Sequence, residues 1–254
     1  MGLALVSFSL GLGLVIAQLG LINGVWINGL PFEDADRLVT VVRHRTTGEE
    51  LEQDLPALHL KDYREKQTTL EALYGSATIA MNLVRGDTGL MFWGAYITPG
   101  LFETLGVKPI LGRTFVPDDL ERANGDVVIL GHELWTDEFA RDPEIFGRSV
   151  MIEGKPRTVV GVMPPDFQFP YVDSLWLPLI PEELEEETGW MRHVMGFGRL
   201  NDGVSRQQAQ LEFSNLVRTL GDPPDGTPMN FNQARVRPLI DFYLDDYMRG
   251  ILFM

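Results

Sequence analysis

The chain opens with a long apolar stretch and becomes polar only after residue 32. Residues 1–22 are almost all apolar or glycine, and the first ionisable side chain is that of Glu33. Because an α-helix rises about 1.5 Å per residue, about 20 such residues cross the roughly 30 Å hydrocarbon core of a bilayer. The pattern therefore predicts a transmembrane helix over residues 1–23, which would tether the rest of the chain to a membrane.

Two other interpretations of this stretch stay open. A secretory signal peptide normally has a basic region, then a shorter apolar core and a small-x-small cleavage site. Here no Lys or Arg precedes Arg37, and Ala17-Gln18-Leu19 is a poor cleavage site. A buried core helix is the second alternative, although a helix that is apolar on every side is costly in a soluble domain of this size.

After the apolar stretch, short runs of apolar and β-branched residues separated by turn-forming residues predict a series of strands. The clearest is the β-branched run at residues 38–42. Residues 150–152 and 158–162 flank Gly154-Lys155 as the two arms of a hairpin. Further strands are predicted at 76–83, 91–97, 126–130, 195–200 and 234–239.

Three segments carry helix signals. Pro56 opens the first, because its missing N–H costs nothing in a first turn. The second covers residues 132–140. The third is the best specified, since Ser205 and Gln208 form a capping-box pattern ahead of apolar residues at helical spacing. The buried side of the first helix is expected to comprise Leu60, Tyr63 and, after a break near Gln67, Leu70 and Leu73. That of the third is expected to comprise Ala209, Phe213, Leu216, Val217 and Leu220.

Composition narrows the function classes. The chain has 254 residues with a formal net charge of −15, which argues against nucleic acid and against docking on an anionic lipid surface. It contains no cysteine, so disulfides, thiolate metal sites and cysteine nucleophiles are excluded. The part after the apolar stretch is long enough to bury a substantial core in one large or two small domains.

Candidate chemistry is sparse. The histidines His44, His59, His132 and His193 fall at no metal-ligand spacing, and the chain has neither a G-x-S-x-G nor a Walker-type motif. The acidic run lacks the interleaved Asn, Asp and Gly of a calcium loop, and a solvated helix face is the favoured interpretation. It comprises Glu182, Glu183, Glu185, Glu186 and Glu187. We therefore predict no catalytic residue, no metal site and no cofactor.

An aromatic, proline-rich stretch follows the predicted hairpin and is expected to be a loop. It contains Phe167, Phe169, Tyr171 and Trp176. These side chains either line a site for a peptide or small solute or pack in the core, and core packing is the favoured interpretation.

Five strings in order along the chain resemble the MacB-like periplasmic core domain of FtsX-type ABC transporter permeases. They begin at residue 30 and end at residue 209, and their order makes them more specific together than any one alone. The strings are residues 30–39 (LPFEDADRLV), 99–115 (PGLFETLGV with LGRTF), 128–148 (VIL, LW, DP and IFGR), 158–164 (TVVGVMP) and 200–209 (LNDGVS with QA).

The resemblance implies an α+β fold. An N-terminal transmembrane helix would be followed by a porter-like α/β subdomain, over 31–98 and 190–240, with a second small α/β subdomain inserted at 99–189. Residues 249–254 would then start a second membrane helix.

The function implied by the resemblance is that of a non-catalytic extracytoplasmic domain. It would couple ATP-driven movements of membrane helices to substrate or partner movement outside the membrane. The expected partners are an ABC-type ATPase subunit or domain and a second permease copy in a homodimer. The expected location is the inner membrane with the soluble part in the periplasm. The alternatives are a membrane-anchored solute- or peptide-binding module and, if the N-terminus is cleaved, a secreted hydrolase.

Overall fold

The computed structural model describes residues 30–86, 88–121, 126–171, 173–181, 184, 191–222 and 229–243. Among these residues, no helix is long and apolar enough to cross a membrane. The predicted membrane segments at 1–23 and 249–254 and the acidic run at 182–187, apart from Leu184, lie outside the described residues. They stay predictions.

The described residues form a mixed α/β fold with a twelve-stranded sheet and four α-helices of defined bounds, and residues 239–243 are also helical. The helices are α1 (Leu60–Lys66), α2 (Leu101–Thr104), α3 (His132–Phe139) and α4 (Arg206–Leu220). The first six strands are β1 (Leu38–Arg45), β2 (Leu51–Gln53), β3 (Leu55–Pro56), β4 (Leu70–Arg85), β5 (Thr88–Ile97) and β6 (Leu111–Gly112). The others are β7 (Val127–Leu130), β8 (Ser149–Ile152), β9 (Lys155–Val162), β10 (Leu175–Pro178), β11 (His193–Leu200) and β12 (Gln233–Pro238).

One half of the sheet has the order β12-β1-β11-β4, with every neighbouring pair antiparallel. Helix α1 lies between β1 and β4 in the chain, and α4 lies between β11 and β12, which is the split-βαβ arrangement of ferredoxin-like folds. Both helices cover the same face, because Tyr63 of α1 stacks on Phe213 of α4 with ring centroids 6.3 Å apart.

The other half lies between β4 and β11 in the chain, and its strand pairing closes on itself. Strand β4 pairs with β5, β5 with β10, β10 with β7, β7 with β9 and β9 with β8. Strand β8 then returns to the far end of β4, opposite Leu83 and Val84. The long strand β4 is therefore shared by the split-βαβ half and this closed ring of strands.

Central strands such as β7 and β10 are buried on both faces, which gives two cores. In β7, Val128 and Leu130 point to the face covered by the helices, and Val127 and Ile129 point to the opposite face. We call the first the helix-side core, which includes Leu60, Tyr63, Phe213 and Val217, and the second the loop-side core, which includes Phe102, Phe169, Trp176 and Phe197. Burial on both faces explains why β7 reads as an unbroken apolar run.

The helix predicted after Pro56 is wrong in its second half. Helix α1 ends at Lys66, and Leu70 and Leu73 belong to β4. Their helix-like spacing of three arises from an irregularity in the pairing, since Leu73 lies opposite Gly198 whereas Leu70 lies opposite Leu200. A local bulge of this kind lets two residues three apart face the same core.

Most other elements are confirmed with shifted ends. The predicted hairpin is β8–β9, but its turn is Glu153-Gly154, since Ile152 pairs with Lys155. Both turn residues have positive φ, 51° and 72°, as a two-residue hairpin turn with the twist of its strands requires. Trp176 was expected in a loop and instead lies in β10.

The third predicted helix is confirmed as α4. The Ser205 hydroxyl accepts the N–H of Gln208, and the Gln208 side chain accepts the N–H of Ser205.

Candidate functional site

A group of interactions between distant parts of the chain lies where the N-terminal segment, residues 30–37, enters the fold. Arg37 donates from Nε and Nη2 to the carbonyl of Leu200, at 2.9 and 2.6 Å. It also pairs with Asp202 at 2.9 Å and with Glu71 of β4. One side chain therefore fixes the N-terminal segment to the ends of β11 and β4.

Arg199, which is buried, also connects the N-terminal segment to β4. Only 6 % of it is exposed, and its guanidinium lies 3.4 Å from Asp34 and 3.7 Å from Glu71. It also donates to the carbonyl of Thr104 at the end of α2. A buried cation is tolerated only with such partners. We call Asp34, Arg37, Glu71 and Arg199 the arginine junction.

The loop after α2 closes against the same segment. Gly106 has a φ of 73°, and a Cβ there would lie 3.2 Å from the Cβ of Glu33. Glycine is thus favoured both by the left-handed backbone and by the close approach of the N-terminal segment. Strings from residues 30–39 and 99–107 and the end of β11 meet at one place in the fold.

Aromatic rings continue from this junction to the C-terminal segment, residues 239–243. Phe32 contacts Phe169 edge-on at 5.8 Å between centroids, and Phe169 packs on Phe197 of β11 at 5.0 Å. Phe197 in turn contacts Phe242 at 6.3 Å, and Phe242 packs on Tyr171 at 5.2 Å. The two ends of the described chain therefore share one aromatic cluster.

Most of the aromatic residues proposed as a binding region are core residues. Phe169 and Trp176 are fully buried, and Phe167 is 9 % exposed. The indole N–H of Trp176 donates to the carbonyl of Phe169 at 2.8 Å, so its polar atom is also satisfied internally. Tyr171 is 37 % exposed and is the accessible member of the set. Core packing accounts for the other three.

A buried carboxyl lies beside the C-terminal segment. Asp173 is 4 % exposed, and its Oδ2 accepts weak hydrogen bonds from the Tyr171 N–H and the Thr78 hydroxyl, at 3.3 and 3.4 Å. Burial raises the pKa of the Asp173 carboxyl to about 7, against the opposing effect of these two donors. Burial, and then the nearby Asp173 charge, raise the pKa of the Tyr243 hydroxyl.

The predicted histidines are dispersed. His44 contacts Glu50 at 2.8 Å, His132 lies 3.6 Å from Glu133, and His193 lies 3.2 Å from Arg43. Within the described ranges, no three His, Asp or Glu side chains gather as metal ligands would.

Sequence reasoning missed the arginine junction, and of the aromatic cluster it singled out only Phe169 and Tyr171. Arg199 immediately precedes one of the family strings, which is the only signal that pointed to it. Glu71 and Phe242 carry no local signal, because their roles depend on partners far away in the chain.

The fold is that of a mixed α/β domain, and the strings that meet at the arginine junction point to a single family. The model of the MacB-like periplasmic core domain family matches residues 1–216. The chain belongs to this family, a family of periplasmic domains of MacB- and FtsX-like ABC transporter permeases. A comparison with curated proteins gives no match.

Three solved structures share the fold. The periplasmic region of MacB from Actinobacillus actinomycetemcomitans is 18 % identical, with a TM-score of 0.63 over 84 % of this chain and 94 % of that one. The extracellular domain of the noncanonic ABC-type transporter YknZ from Gram-positive bacteria is 12 % identical, with a TM-score of 0.59 over 79 % and 99 %. A domain of a protein from Porphyromonas gingivalis classed as a permease is 17 % identical, with a TM-score of 0.59 over 82 % and 92 %.

Proposed function

We propose that this chain couples ATP-driven movement of membrane helices to the movement of a substrate or partner outside the membrane. ATP would be hydrolysed by an ABC-type ATPase on a separate chain or domain, and the chain itself would carry no catalytic site. Residues 1–23 would span the inner membrane, residues 249–254 would begin a second span, and the permease would act as a homodimer.

One observation carries this proposal. The segments that follow the first predicted span and precede the second are both packed on the same aromatic cluster, through Phe32 and Phe242. A displacement of either membrane helix would therefore act first on Phe169 and Phe197. Because cores are close-packed, such a displacement is transmitted rather than absorbed.

The two parts inferred from the sequence would act as levers. In this proposal the porter-like part, 31–98 and 190–240, carries both membrane connections, and the inserted part, 99–189, is moved against it. The continuous strand β4 would be the rigid link, since it pairs with β11 at one end and with β8 at the other.

The absence of native cysteine allows a direct test. Glu33→Cys with Gly106→Cys would place two thiols at the closest approach of the N-terminal segment to the loop after α2, where the Cβ separation is 3.2 Å. Disulfides need a Cβ separation of about 3.5–4.5 Å, so a small adjustment is required. The full chain would be purified from membranes with its co-purifying proteins, which we expect to include an ABC-type ATPase.

ATP turnover of the complex would then be measured oxidised and reduced. We expect oxidation of the double variant to suppress turnover and reduction to restore it. The Gly106→Cys single variant controls for backbone strain at the positive φ. Co-purification without an ATPase, or equal turnover in both redox states, would overturn the proposal.

A further inference from the structure

The closed ring of strands leaves part of one strand edge open. Strand β5 pairs with β4 along its whole length, but with β10 only from Gly94 onward. Just before that point, the Ser174 N–H donates to the Trp93 carbonyl at 2.7 Å. Within the described ranges, no further strand pairs with residues 88–92 on the side of β5 that faces away from β4.

The backbone of β5 points outward at this edge. The Trp93 carbonyl faces β10, and along a strand the N–H and C=O groups of every second residue face the same side. Those of Gly89 and Met91 therefore face away from β4. The alternation on β4 agrees, because the backbone N–H and carbonyl of Asn82, opposite Met91, both bond to Glu153.

The side chains along the edge are apolar. Met91 is 74 % exposed and Trp93 is 60 % exposed. Both lie on the loop-side face, since they alternate with Ala95 of the loop-side core. Residues 88–93 include no ionisable side chain and no proline, which are the usual means of protecting an edge strand. The nearest charged position along the chain is Asp87, in the turn before the segment, and it lies outside the described residues.

The edge of β12 shows how this fold closes an edge elsewhere. There the Ala234 N–H donates to the Ser214 hydroxyl at 3.0 Å, and the Val236 N–H donates to the Gln210 side chain at 3.3 Å. Helix α4 therefore covers the backbone at that end of the sheet. In the described part of the chain, no helix covers residues 88–92 in this way.

The open edge is complementary to itself. When two copies pair antiparallel with Leu90 opposite Leu90 of the second copy, each Met91 lies opposite a Gly89. These two residue pairs each exchange two N–H···O bonds. A Cβ on Gly89 would meet open space, so the methionine of the other copy has room to pack there.

The symmetry of such a pair fits two chains that are anchored in one membrane. The two-fold axis of an antiparallel strand pair is normal to the local sheet, so both copies keep the same face on the same side. The segments that carry Phe32 and Phe242 close the loop-side core. The chain outside the structure, residues 1–29 and 244–254, therefore leaves both copies from the same face.

The length of the pairing sets the conditions under which it forms. Stable interfaces carry about ten hydrogen bonds and bury about 1,200–2,000 Å². A ladder over residues 88–92 is shorter than that. Two membrane anchors would supply the rest, because tethering raises the effective concentration of one edge for the other without any new contact.

We propose that residues 88–92 of β5 pair with the same residues of a second copy, across a two-fold axis at Leu90. The inference rests on the proposed function, since it names the surface through which the two chains of the homodimer meet outside the membrane. The pairing joins the two rings of strands into one continuous sheet, so movement of one copy acts directly on the other.

The test is disulfide cross-linking of the full chain in native membranes, which the absence of native cysteine permits. Leu90→Cys places two thiols opposite one another in a pair without backbone hydrogen bonds, where Cα atoms lie about 4.5 Å apart and a disulfide can form. Phe92→Cys is the matched control. Phe92 lies on the same face and is also half-buried, but its two copies would be offset by four residues, or about 14 Å. We expect at least about tenfold more covalent dimer from Leu90→Cys.

A charge at the edge should oppose the pairing. Met91→Lys in the Leu90→Cys chain should lower the yield of covalent dimer at least about threefold, because edge lysines block strand addition. Leu211→Lys is the matched control, since it adds the same charge at an exposed position of α4, and its yield should be unchanged. Both positions are largely exposed, so folding is not at risk.

Mass spectrometry of the cross-linked peptides identifies the occupant of the edge. The peptide that contains residue 90, joined to itself, supports the proposal. Equal yields from Leu90→Cys and Phe92→Cys, or a cross-link to a different protein, would overturn it. So would the absence of a covalent dimer, since the edge would then be covered by residues 244–254 or by another partner.

Cross-linking needs neither ATP nor an ATPase. A failure here would leave the redox test of coupling intact, and the homodimer would then meet through another surface. A failure of the coupling test would leave the cross-linking result standing.

Discussion

The helix-side core is closed by the helices α1 and α4, whereas the loop-side core is closed by the short helix α2, by loops and by both ends of the described chain. On the helix side, α1 and α4 lie over the sheet and their rings stack on one another. On the loop side, Phe32 and Phe242 come from the two terminal segments, and Phe167 and Phe169 come from the loop after β9.

Burial of apolar area stabilises both cores to a similar extent per unit area, about 25 cal/mol per Å². They differ in what must move for each core to open. Opening the helix-side core requires displacement of whole elements, whereas the loop-side core loses contacts when either terminal segment shifts. Local opening concentrates where few regular elements hold the structure. The packing of the loop-side core thus depends on the position of the two terminal segments, 30–37 and 239–243.

The largest expected effects come from removing one ring from each core. Phe213→Ala and Trp176→Ala both remove a fully buried ring, and each should lower the free energy of unfolding by about 3–5 kcal/mol. Only Trp176→Ala should also speed hydrogen exchange in residues 30–37, because Trp176 supports Phe169 beneath Phe32. Denaturant unfolding and exchange mass spectrometry measure the two effects.

Equal acceleration of exchange at residues 30–37 by Phe213→Ala would contradict the comparison. The two cores would then open as one cooperative unit, and the terminal segments would have no privileged connection to the loop side.

An intermediate effect is expected at the arginine junction. Arg199→Gln removes the buried charge that faces Asp34 and Glu71 and the donor to Thr104, and should lower the free energy of unfolding by about 2 kcal/mol. Arg85→Gln is the matched control. It removes an exposed pair with Glu138 at 3.3 Å and should cost less than about 0.5 kcal/mol.

Thermal unfolding of both variants checks this difference, and limited proteolysis should cut within residues 30–37 faster in Arg199→Gln alone. Similar losses in the two variants would mean that the junction is an ordinary surface charge cluster.

The contrast between the cores also explains what the sequence could reveal. Helix α4 was predictable because its cap and its apolar face are local patterns, set by Ser205, Gln208 and the residues that follow. The register irregularity at Leu70 and Leu73 could not be predicted from the sequence, because a spacing of three between apolar residues is also typical of a helix. The strand assignment of Leu70 and Leu73 becomes clear only from the pairing of β4 with β11.

The candidate site was even harder to predict from the sequence. Arg37 and the Leu200 carbonyl are 163 residues apart, and Phe32 meets Phe169 only in the folded chain. The family strings marked the segments that meet there but carried no information on which side chains touch. Contacts of this kind are set by topology, which local patterns do not encode.

The smallest and most selective effect is a dependence of stability on pH. Burial raises the pKa of Asp173 to about 7, and burial raises the pKa of Asp54, near Arg43, to about 6. Both carboxyls bind protons more tightly when folded. Stability from this source is therefore fully present at low pH and is lost as pH rises through the folded pKa.

The effects of the two carboxyls on stability can be distinguished, because they act over different pH ranges. Between pH 4 and 6 both reduce the free energy of unfolding, whereas between pH 6 and 7 Asp173 alone continues to reduce it. Asp173→Asn should therefore remove the slope above pH 6 and stabilise the protein by about 1–2 kcal/mol at pH 8. Asp54→Asn should flatten the lower window only.

Urea unfolding of the two variants at half-unit steps from pH 4 to 8 would measure both slopes. Because Asp173 lies beside Tyr243 in the C-terminal segment, hydrogen exchange at residues 239–243 should follow the Asp173 window. If the free energy of unfolding of Asp173→Asn still falls with pH above pH 6, ionisation of Asp173 is not the cause of that slope. The C-terminal segment would then be insensitive to the charge of Asp173.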